Sequence, residues 1–190
     1  MSELAHRILP EGWVLKKISE IATTSSGGTP KRSIAEYYNG TVPWVKSGEL
    51  NDAVLTDCEE RITDLGLAKS SAKIFEPGTI LIALYGATIG KLAILKFAAS
   101  TNQAVCGISL SDDVDEKFMF YFLLSIRRSL IDQGKGGAQP NISQQIVKAI
   151  SVPVPPLDHQ KQIVAKIEEL FSHIDAGVES LKKAKALLKQ

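Results

Sequence analysis

The chain has 190 residues, of which 44% are hydrophobic, and its 22 basic side chains nearly balance 21 acidic ones. This length predicts one domain with an appendage or two small domains, with enough apolar residues for a core. The near-neutral charge argues against a non-specific nucleic-acid binder, which usually carries a strong basic excess. Cys58 and Cys106 fit neither a zinc spacing nor a disulfide framework, so we expect buried thiols in a reducing compartment.

No apolar run approaches the roughly 20 residues that span a bilayer. No N-terminal stretch has the charged-then-apolar pattern of a signal peptide. We therefore expect a soluble, cytoplasmic protein that makes no membrane contact.

The first part of the chain is typical of short β-strands joined by polar loops. From Pro10 the pattern predicts a short strand and a short helix, and Val42, Trp44 and Val45 predict a further strand. A Pro-Gly turn at 77–78 precedes a buried strand over 79–85, and two more strands are predicted up to Leu110.

The first long helix is predicted over 113–131. Its apolar positions recur at helical spacing and are Phe118, Phe122, Ile126 and Leu130. A glycine-rich loop at 135–143 follows, and residues 142–150 have the pattern of a short helix or turn.

A proline-rich stretch at 151–160 sets the predicted domain boundary. Three prolines within four positions exclude a helix there and favour an extended linker. We expect one domain over 1–156 and one long helix over 157–190, with Asp158 as its N-cap. The predicted fold class is α+β, with a β-rich domain containing short helices, followed by one coiled-coil-type helix.

Apolar and small residues along the long helix alternate in steps of four and three, which defines a heptad seam. The predicted pairing positions are Ile163, Ile167, Leu170, Ile174, Leu181 and Leu188, with Gly177 and Ala184 as small residues on the seam. About 31 helical residues extend about 46 Å. A helix that long exposes its seam unless it has a partner.

Signatures of catalysis are weak in this sequence. The stretch GATIGK at 86–91 has three residues between its glycines where a Walker loop has four, and Leu92 supplies no hydroxyl for magnesium. The acids at 115–116 begin a predicted helix, where acids usually complement the helix dipole. We therefore predict a non-enzymatic protein with no catalytic residue, no metal site and no cofactor.

Four polar, glycine-containing loops follow β elements, at 25–32, 46–51, 85–91 and 135–143. Any one loop is polar because it is exposed, but four of them without catalytic groups favour a recognition surface. Asn and Gln can contact adenine, Arg and Lys can contact guanine, and hydroxyls can hold phosphates. The candidate DNA contacts are Thr29, Lys31, Arg32, Lys46, Ser47, Tyr85, Thr88, Lys91, Lys135, Gln139 and Asn141. For the last loop an alternative stays open, in which Pro140 and Asn141 cap the helix that starts near Ile142.

Eight short motifs follow one another along the chain from about Leu9 to the end. They are PEGW, SGGTP, VPWVKSGEL, EPGTILI, YGATIGKLAI, TNQAV, QPNIS and VPVPPLDHQKQIVAKIE. Their order and spacing resemble the specificity subunit of type I restriction–modification enzymes. This resemblance implies a non-catalytic subunit whose target recognition domains each read half of a split double-stranded DNA site, with long helices as spacers. It also implies docking on methyltransferase subunits and, through them, on the restriction subunit.

A complete member of that family has two recognition domains and two long helices, whereas this chain has one of each. We therefore expect either a natural half-subunit or an excised half. The helical pattern runs to residue 190 without a cap or a proline stop, which favours an interrupted helix. We expect a homodimer that pairs through the long helix. The alternative is an assembly adaptor whose helix docks partner subunits, with little DNA binding of its own.

Overall fold

The computed structural model describes residues 9–134 and 141–188. Within these residues ten strands and five α-helices follow in chain order, with two short 3-10 helices at Ala35–Tyr37 and Ser47–Glu49. They are β1 (Val14–Lys17), α1 (Ile18–Ile21), β2 (Ala22–Ser26), β3 (Tyr38–Val45), β4 (Ala53–Leu55), β5 (Arg61–Ile62), α2 (Asp64–Ala68), β6 (Ile80–Ala83), β7 (Leu92–Leu95), β8 (Ser100–Thr101), β9 (Val105–Leu110), α3 (Glu116–Gln133), α4 (Gln144–Ala149), β10 (Ser151–Val154) and α5 (Leu157–Leu187). The predicted α+β class is confirmed.

A five-stranded sheet in the order β2-β9-β6-β7-β4 forms the centre of the domain. Neighbouring strands are antiparallel except for β4, which runs parallel to β7. Every residue of β6 is buried, as the unbroken apolar run ILIA predicts for a strand covered on both faces. Ile80 and Ile82 pack in the larger core with α3 and α4, whereas Leu81 and Ala83 pack in a second core with residues around β3.

The proline-rich stretch after α4 is a strand, and the prediction of a linker there is wrong. β10 pairs antiparallel with β1 in a two-stranded sheet, with Leu15 opposite Pro153 and Val14 opposite Val154. The extended backbone that prolines favour is also the backbone of a strand, and a two-stranded sheet has only edge positions, which tolerate the missing N–H.

The helix predicted over 113–131 is confirmed as α3. Asp115 is its N-cap, and its carboxylate accepts hydrogen bonds from the amides of Lys117 (3.0 Å) and Phe118 (2.9 Å). Phe118 and Leu130 are buried as the spacing predicted, whereas Phe122 and Ile126 are only partly buried against the core.

Ser143 caps the short helix α4. Its hydroxyl oxygen accepts from the Ile146 amide at 3.2 Å. The alternative in which Asn141 caps this helix is therefore wrong, and Pro140 lies outside the described residues.

Helix α5 begins at Leu157, with Pro156 in the N-cap position, so the prediction of Asp158 as N-cap is wrong. Its first turns pack into the domain, because Gln160 is fully buried and Val164 belongs to the larger core. From Glu168 to Leu188 every residue is exposed.

In the part of the chain that the structure describes, no helix combines the length and the apolar character needed to cross a membrane.

Candidate nucleic-acid interface

One edge of the five-stranded sheet gathers the polar loops. The strand register places the ends of β2 and β6 on the same side as the starts of β9, β7 and β4. The register pairs that show this are Ser26↔Cys106 for β2 and β9, Ala83↔Val105 for β6 and β9, Ile82↔Leu92 for β6 and β7, and Ala53↔Ala93 for β4 and β7. β3 ends at this side too, since the Asn102 amide donates to the Val45 carbonyl at 3.0 Å. We call residues 27–32, 46–52, 85–91, 102–103 and 141 the loop edge.

Asn141 joins the loop edge through the backbone. It forms an isolated antiparallel bridge with Tyr85, and the next amide, of Ile142, donates to the Leu84 carbonyl at 2.8 Å. Asn141 is exposed, so its side chain is available at this edge. Lys135 and Gln139, the other candidate contacts of that loop, lie outside the described residues.

Two aromatic residues of β3 fix the first loop of the edge. The Trp44 indole N–H donates to the Gly28 carbonyl at 2.9 Å, and the Tyr38 hydroxyl donates to the Pro30 carbonyl. At Gly27 a Cβ would lie 2.1 Å from the Thr101 hydroxyl oxygen, so this close approach requires glycine. Thr29 then donates its hydroxyl hydrogen to the side-chain oxygen of Gln103.

Glu60 holds two of the candidate cations. Both nitrogens of the Arg32 fork donate to the Glu60 carboxylate, one of them at 3.2 Å, and the guanidinium lies 4.5 Å from the Tyr38 ring centroid and 4.9 Å from that of Trp44. The Lys46 ammonium lies 3.6 Å from Glu60 and 3.3 Å from Glu59. The Arg32 hydrogen bond lowers the pKa of Glu60 below its ordinary value, against the opposing effect of burial.

Asp52 holds a second pair of cations at the same edge. Its carboxylate lies 2.7 Å from the Lys91 ammonium, accepts from the Leu92 amide at 3.0 Å and pairs with Arg127. Burial raises the pKa of Asp52, but these hydrogen bonds outweigh it and leave the pKa below its ordinary value. Asp52 adopts a left-handed backbone with φ of 66°, a conformation that aspartate tolerates better than most residues.

The structure therefore brings most of the candidate residues together but engages several of them internally. Arg32, Lys46 and Lys91 are ion-paired. Among the described residues, the side chains of Lys31, Ser47 and Thr88 have no polar partner, and all three lie on the loop edge, where solvent reaches them. Together with the exposed Asn141, these three are the candidates most available to a ligand.

Four residues of this site were missed from the sequence, the acids Asp52 and Glu60 and the polar residues Gln103 and Arg127. Arg127 lies on α3, and its Nε donates to the Gly90 carbonyl at 2.8 Å, so it fixes the turn of the third loop. Nothing local in the sequence indicates that contact. Gln103 is exposed on the loop edge, and the motif TNQAV was the signal that could have identified it.

The predicted seam of α5 divides into two parts. Ile163 packs against the larger core of its own domain and Ile167 is half-buried, whereas Leu170, Ile174, Leu181 and Leu188 are exposed. Phe171 and Val178 extend this apolar stripe and are exposed as well.

In the described part of the chain, no cluster of three or more His, Cys, Asp or Glu residues is arranged to hold a metal ion.

Comparison with known proteins gives a consistent family assignment. The family model described as "Type I restriction modification DNA specificity domain" matches residues 10–186. The chain is 30% identical over 187 residues to the type I restriction enzyme MjaIX specificity subunit of Methanocaldococcus jannaschii, covering 96% of this chain and 42% of that protein. It is 24% identical over 172 residues to the EcoR124I/EcoR124II specificity subunit of Escherichia coli, covering 86% of this chain and 43% of that protein.

Solved structures share the fold. A chain from a study of complex assembly and conformational transition of the type I R-M system aligns with a TM-score of 0.76 at 21% identity, over 97% of this chain and 44% of that one. The HsdS subunit from Thermoanaerobacter tengcongensis aligns with a TM-score of 0.71 at 22% identity, over 90% of this chain and 40% of that one. The chain thus spans about two fifths of the length of the relatives that it matches, and it belongs to the type I restriction modification DNA specificity domain family.

Proposed function

We propose that this chain is the DNA sequence-recognition module of a type I restriction–modification complex. In this role it performs no chemistry and directs methyltransferase and restriction subunits to a split target site. The observation that carries the proposal is the convergence of the polar loops on one sheet edge, in a chain of the specificity-domain family. Residues 1–156 are the recognition domain and 157–190 the spacer helix.

The loop edge offers the chemistry that duplex reading needs. Lys31, Ser47 and Thr88 are available for phosphates or base edges, and Asn141 presents an amide that can pair with adenine. Thr29, Arg32, Lys46, Tyr85 and Lys91, together with Lys135 and Gln139, complete the proposed contact set. Since the net charge is only +1, we expect weak DNA binding by the chain alone and stronger binding with the methyltransferase subunit.

Selection from a randomised duplex library, with and without the methyltransferase subunit, tests this function. We expect enrichment of one sequence and affinity that falls with salt. Lys31→Ala should weaken binding to every duplex and reduce the salt slope by about one. Lys161→Ala removes the same charge from an exposed helix position and should change neither. Binding to the methyltransferase subunit without any sequence selection would instead support the assembly adaptor.

The exposed part of α5 suits pairing with a second copy of the chain. In an antiparallel pair centred between residues 175 and 176, Ile167 meets Ala184, Leu170 meets Leu181, and Ile174 meets Gly177 of the other copy. In the two isoleucine pairs a bulky branched residue meets a small one, which lets the helices approach closely. A Cβ at Gly177 would meet nothing within 4 Å in the single chain. A two-fold dimer of this kind would place the recognition domains at opposite ends, to read an inverted repeat.

Molecular mass in solution tests the pairing. We expect a dimer for the wild-type chain and a monomer for Ile167→Asp/Ile174→Asp. The variant Ala165→Asp/Ala176→Asp adds the same charges on the opposite, exposed face of the helix and should remain dimeric. A monomeric wild-type chain would contradict self-pairing and leave the methyltransferase subunit, or a second half, as the partner of the helix.

A further inference from the structure

The cations of the loop edge are neutralised by carboxylates of the same chain. Glu60 binds Arg32 through both of its oxygens and lies 3.6 Å from the Lys46 ammonium. The side chain of Arg32 is 54% exposed, whereas that of Glu60 is 22% exposed. The guanidinium is therefore at the surface, with its hydrogen-bonding fork already occupied.

Carboxylate and phosphate compete for the same donors. An arginine binds either anion through two parallel N–H groups, and Glu60 takes one donor from each terminal nitrogen of Arg32. A phosphate that binds this end of the guanidinium must displace Glu60. The displaced carboxylate would then keep only Lys46 as a partner beside the negatively charged backbone of the duplex, which disfavours the exchange.

The Glu60 side chain is not needed to hold its own strand. The Glu60 carbonyl accepts from the Trp44 amide at 2.9 Å, and the next residue, Arg61, pairs with Pro43 in the β3–β5 ladder. The aromatic rings of Tyr38 and Trp44 still support the guanidinium when the carboxylate is removed. Removal of the charge therefore frees Arg32 and leaves Lys46 with Glu59 as its carboxylate partner, without removing the backbone bonds that place the loop.

We propose that Glu60 is a specificity-determining positioning residue, which occupies Arg32 in the free chain, shares Lys46 with Glu59 and so restrains non-specific DNA binding. A random duplex offers only phosphates and must compete with Glu60. A target duplex adds base contacts elsewhere on the loop edge, which offset the loss of the internal pair. This inference rests on the proposed DNA-recognition function and assigns a role to one acid within that site.

Glu60→Gln and Glu59→Gln form a matched pair of variants for the test. Both remove one negative charge from adjacent positions, but Glu59 is 79% exposed and contacts only Lys46 among the described cations. The probes are a duplex selected by the wild-type chain and a scrambled duplex of the same composition, with binding measured by fluorescence anisotropy over a salt series. We expect Glu60→Gln to bind the scrambled duplex several-fold more tightly at about 0.1 M salt and to steepen the salt slope by about one. The affinity ratio between selected and scrambled duplex should fall, and Glu59→Gln should change it less.

A double-mutant cycle with Arg32→Gln separates this effect from any change in folding. In the Arg32→Gln background, Glu60→Gln should no longer tighten scrambled-duplex binding beyond the effect of Glu59→Gln. Equal behaviour of the two glutamate variants, or weaker binding of both duplexes by Glu60→Gln at an unchanged unfolding midpoint, would overturn this inference alone. A wild-type chain that binds neither duplex would overturn the proposed function and this inference with it.

Discussion

Gln160 helps to fix α5 to the preceding domain, and its replacement should destabilise the whole chain. The side chain is fully buried. Its oxygen accepts from the Asp115 amide at 2.8 Å, and its nitrogen donates to the carbonyls of Asp113 and Pro155, each at 2.9 Å. Two segments far apart in the sequence, at 113–115 and 155–160, thus meet at one amide group.

Gln160→Met keeps the length of the side chain and removes all three hydrogen bonds. Each net hydrogen bond contributes about 1 kcal/mol, and a buried group left without a partner costs about 1–3 kcal/mol. We therefore expect a loss of at least about 3 kcal/mol, a large share of the roughly 5–15 kcal/mol that stabilises a typical domain.

Urea unfolding followed by the fluorescence of the buried Trp44 measures this loss. Gln162→Met makes the same chemical change two residues further along, at an exposed position, and should shift the free energy of unfolding by less than about 0.5 kcal/mol. A loss below about 1 kcal/mol for Gln160→Met would refute the reasoning, because the three hydrogen bonds would then contribute little.

Gln160→Glu gives the same site a pH dependence. The carboxylate could still accept from the Asp115 amide, but it would face the two carbonyl oxygens without a proton to donate. Burial and these oxygens would raise the pKa of the new carboxyl in the folded chain above its unfolded value. The deficit relative to wild type should therefore be smallest below the ordinary carboxyl range and grow as the pH rises through the folded pKa. Urea midpoints across that range measure it.

Three further outcomes follow from the packing and the charges. Gly107→Ala should lower the thermal midpoint, because the new Cβ would lie 2.3 Å from the Phe75 ring. Gly48→Ala should leave the midpoint unchanged, because no atom lies within 4 Å of a Cβ there. Equal midpoints for the two variants would contradict this packing. Burial raises the pKa of Cys106 to about 12, so its labelling by a thiol reagent near neutral pH, located by mass spectrometry, should be slow until urea unfolds the chain. The Arg32 hydrogen bond lowers the pKa of Glu60 in the folded chain, so the ionised Glu60 stabilises the fold at pH values above the pKa of Glu60 in the unfolded chain. This stabilisation is lost as the pH falls through the folded pKa, so Glu60→Gln should flatten the acid limb of a pH series of unfolding midpoints.

The sequence predicted the elements whose pattern is local. The run ILIA marks β6 because a strand buried on both faces has apolar residues at every position. The spacing of Phe118 and Leu130 marks α3, since residues on one helix face recur with the helical period. The steps of four and three along α5 indicated an apolar stripe by the same principle, and the stripe is present and exposed beyond Glu168.

Tertiary structure alone decided how the polar residues are used. Arg32 and Glu60 are 28 residues apart, Lys91 and Asp52 are 39 apart, and each pair meets only because the sheet brings their loops to one edge. The proline-rich stretch shows the same limit. Its extended backbone was evident from the prolines, but its partner strand β1 comes near the start of the chain, far from it in the sequence. Periodicity records which side of an element is buried and says nothing of strand order, so the sequence by itself determined the strongly patterned elements β6, α3 and α5 and the candidate loops. The fold determined which charges are free and which are already paired.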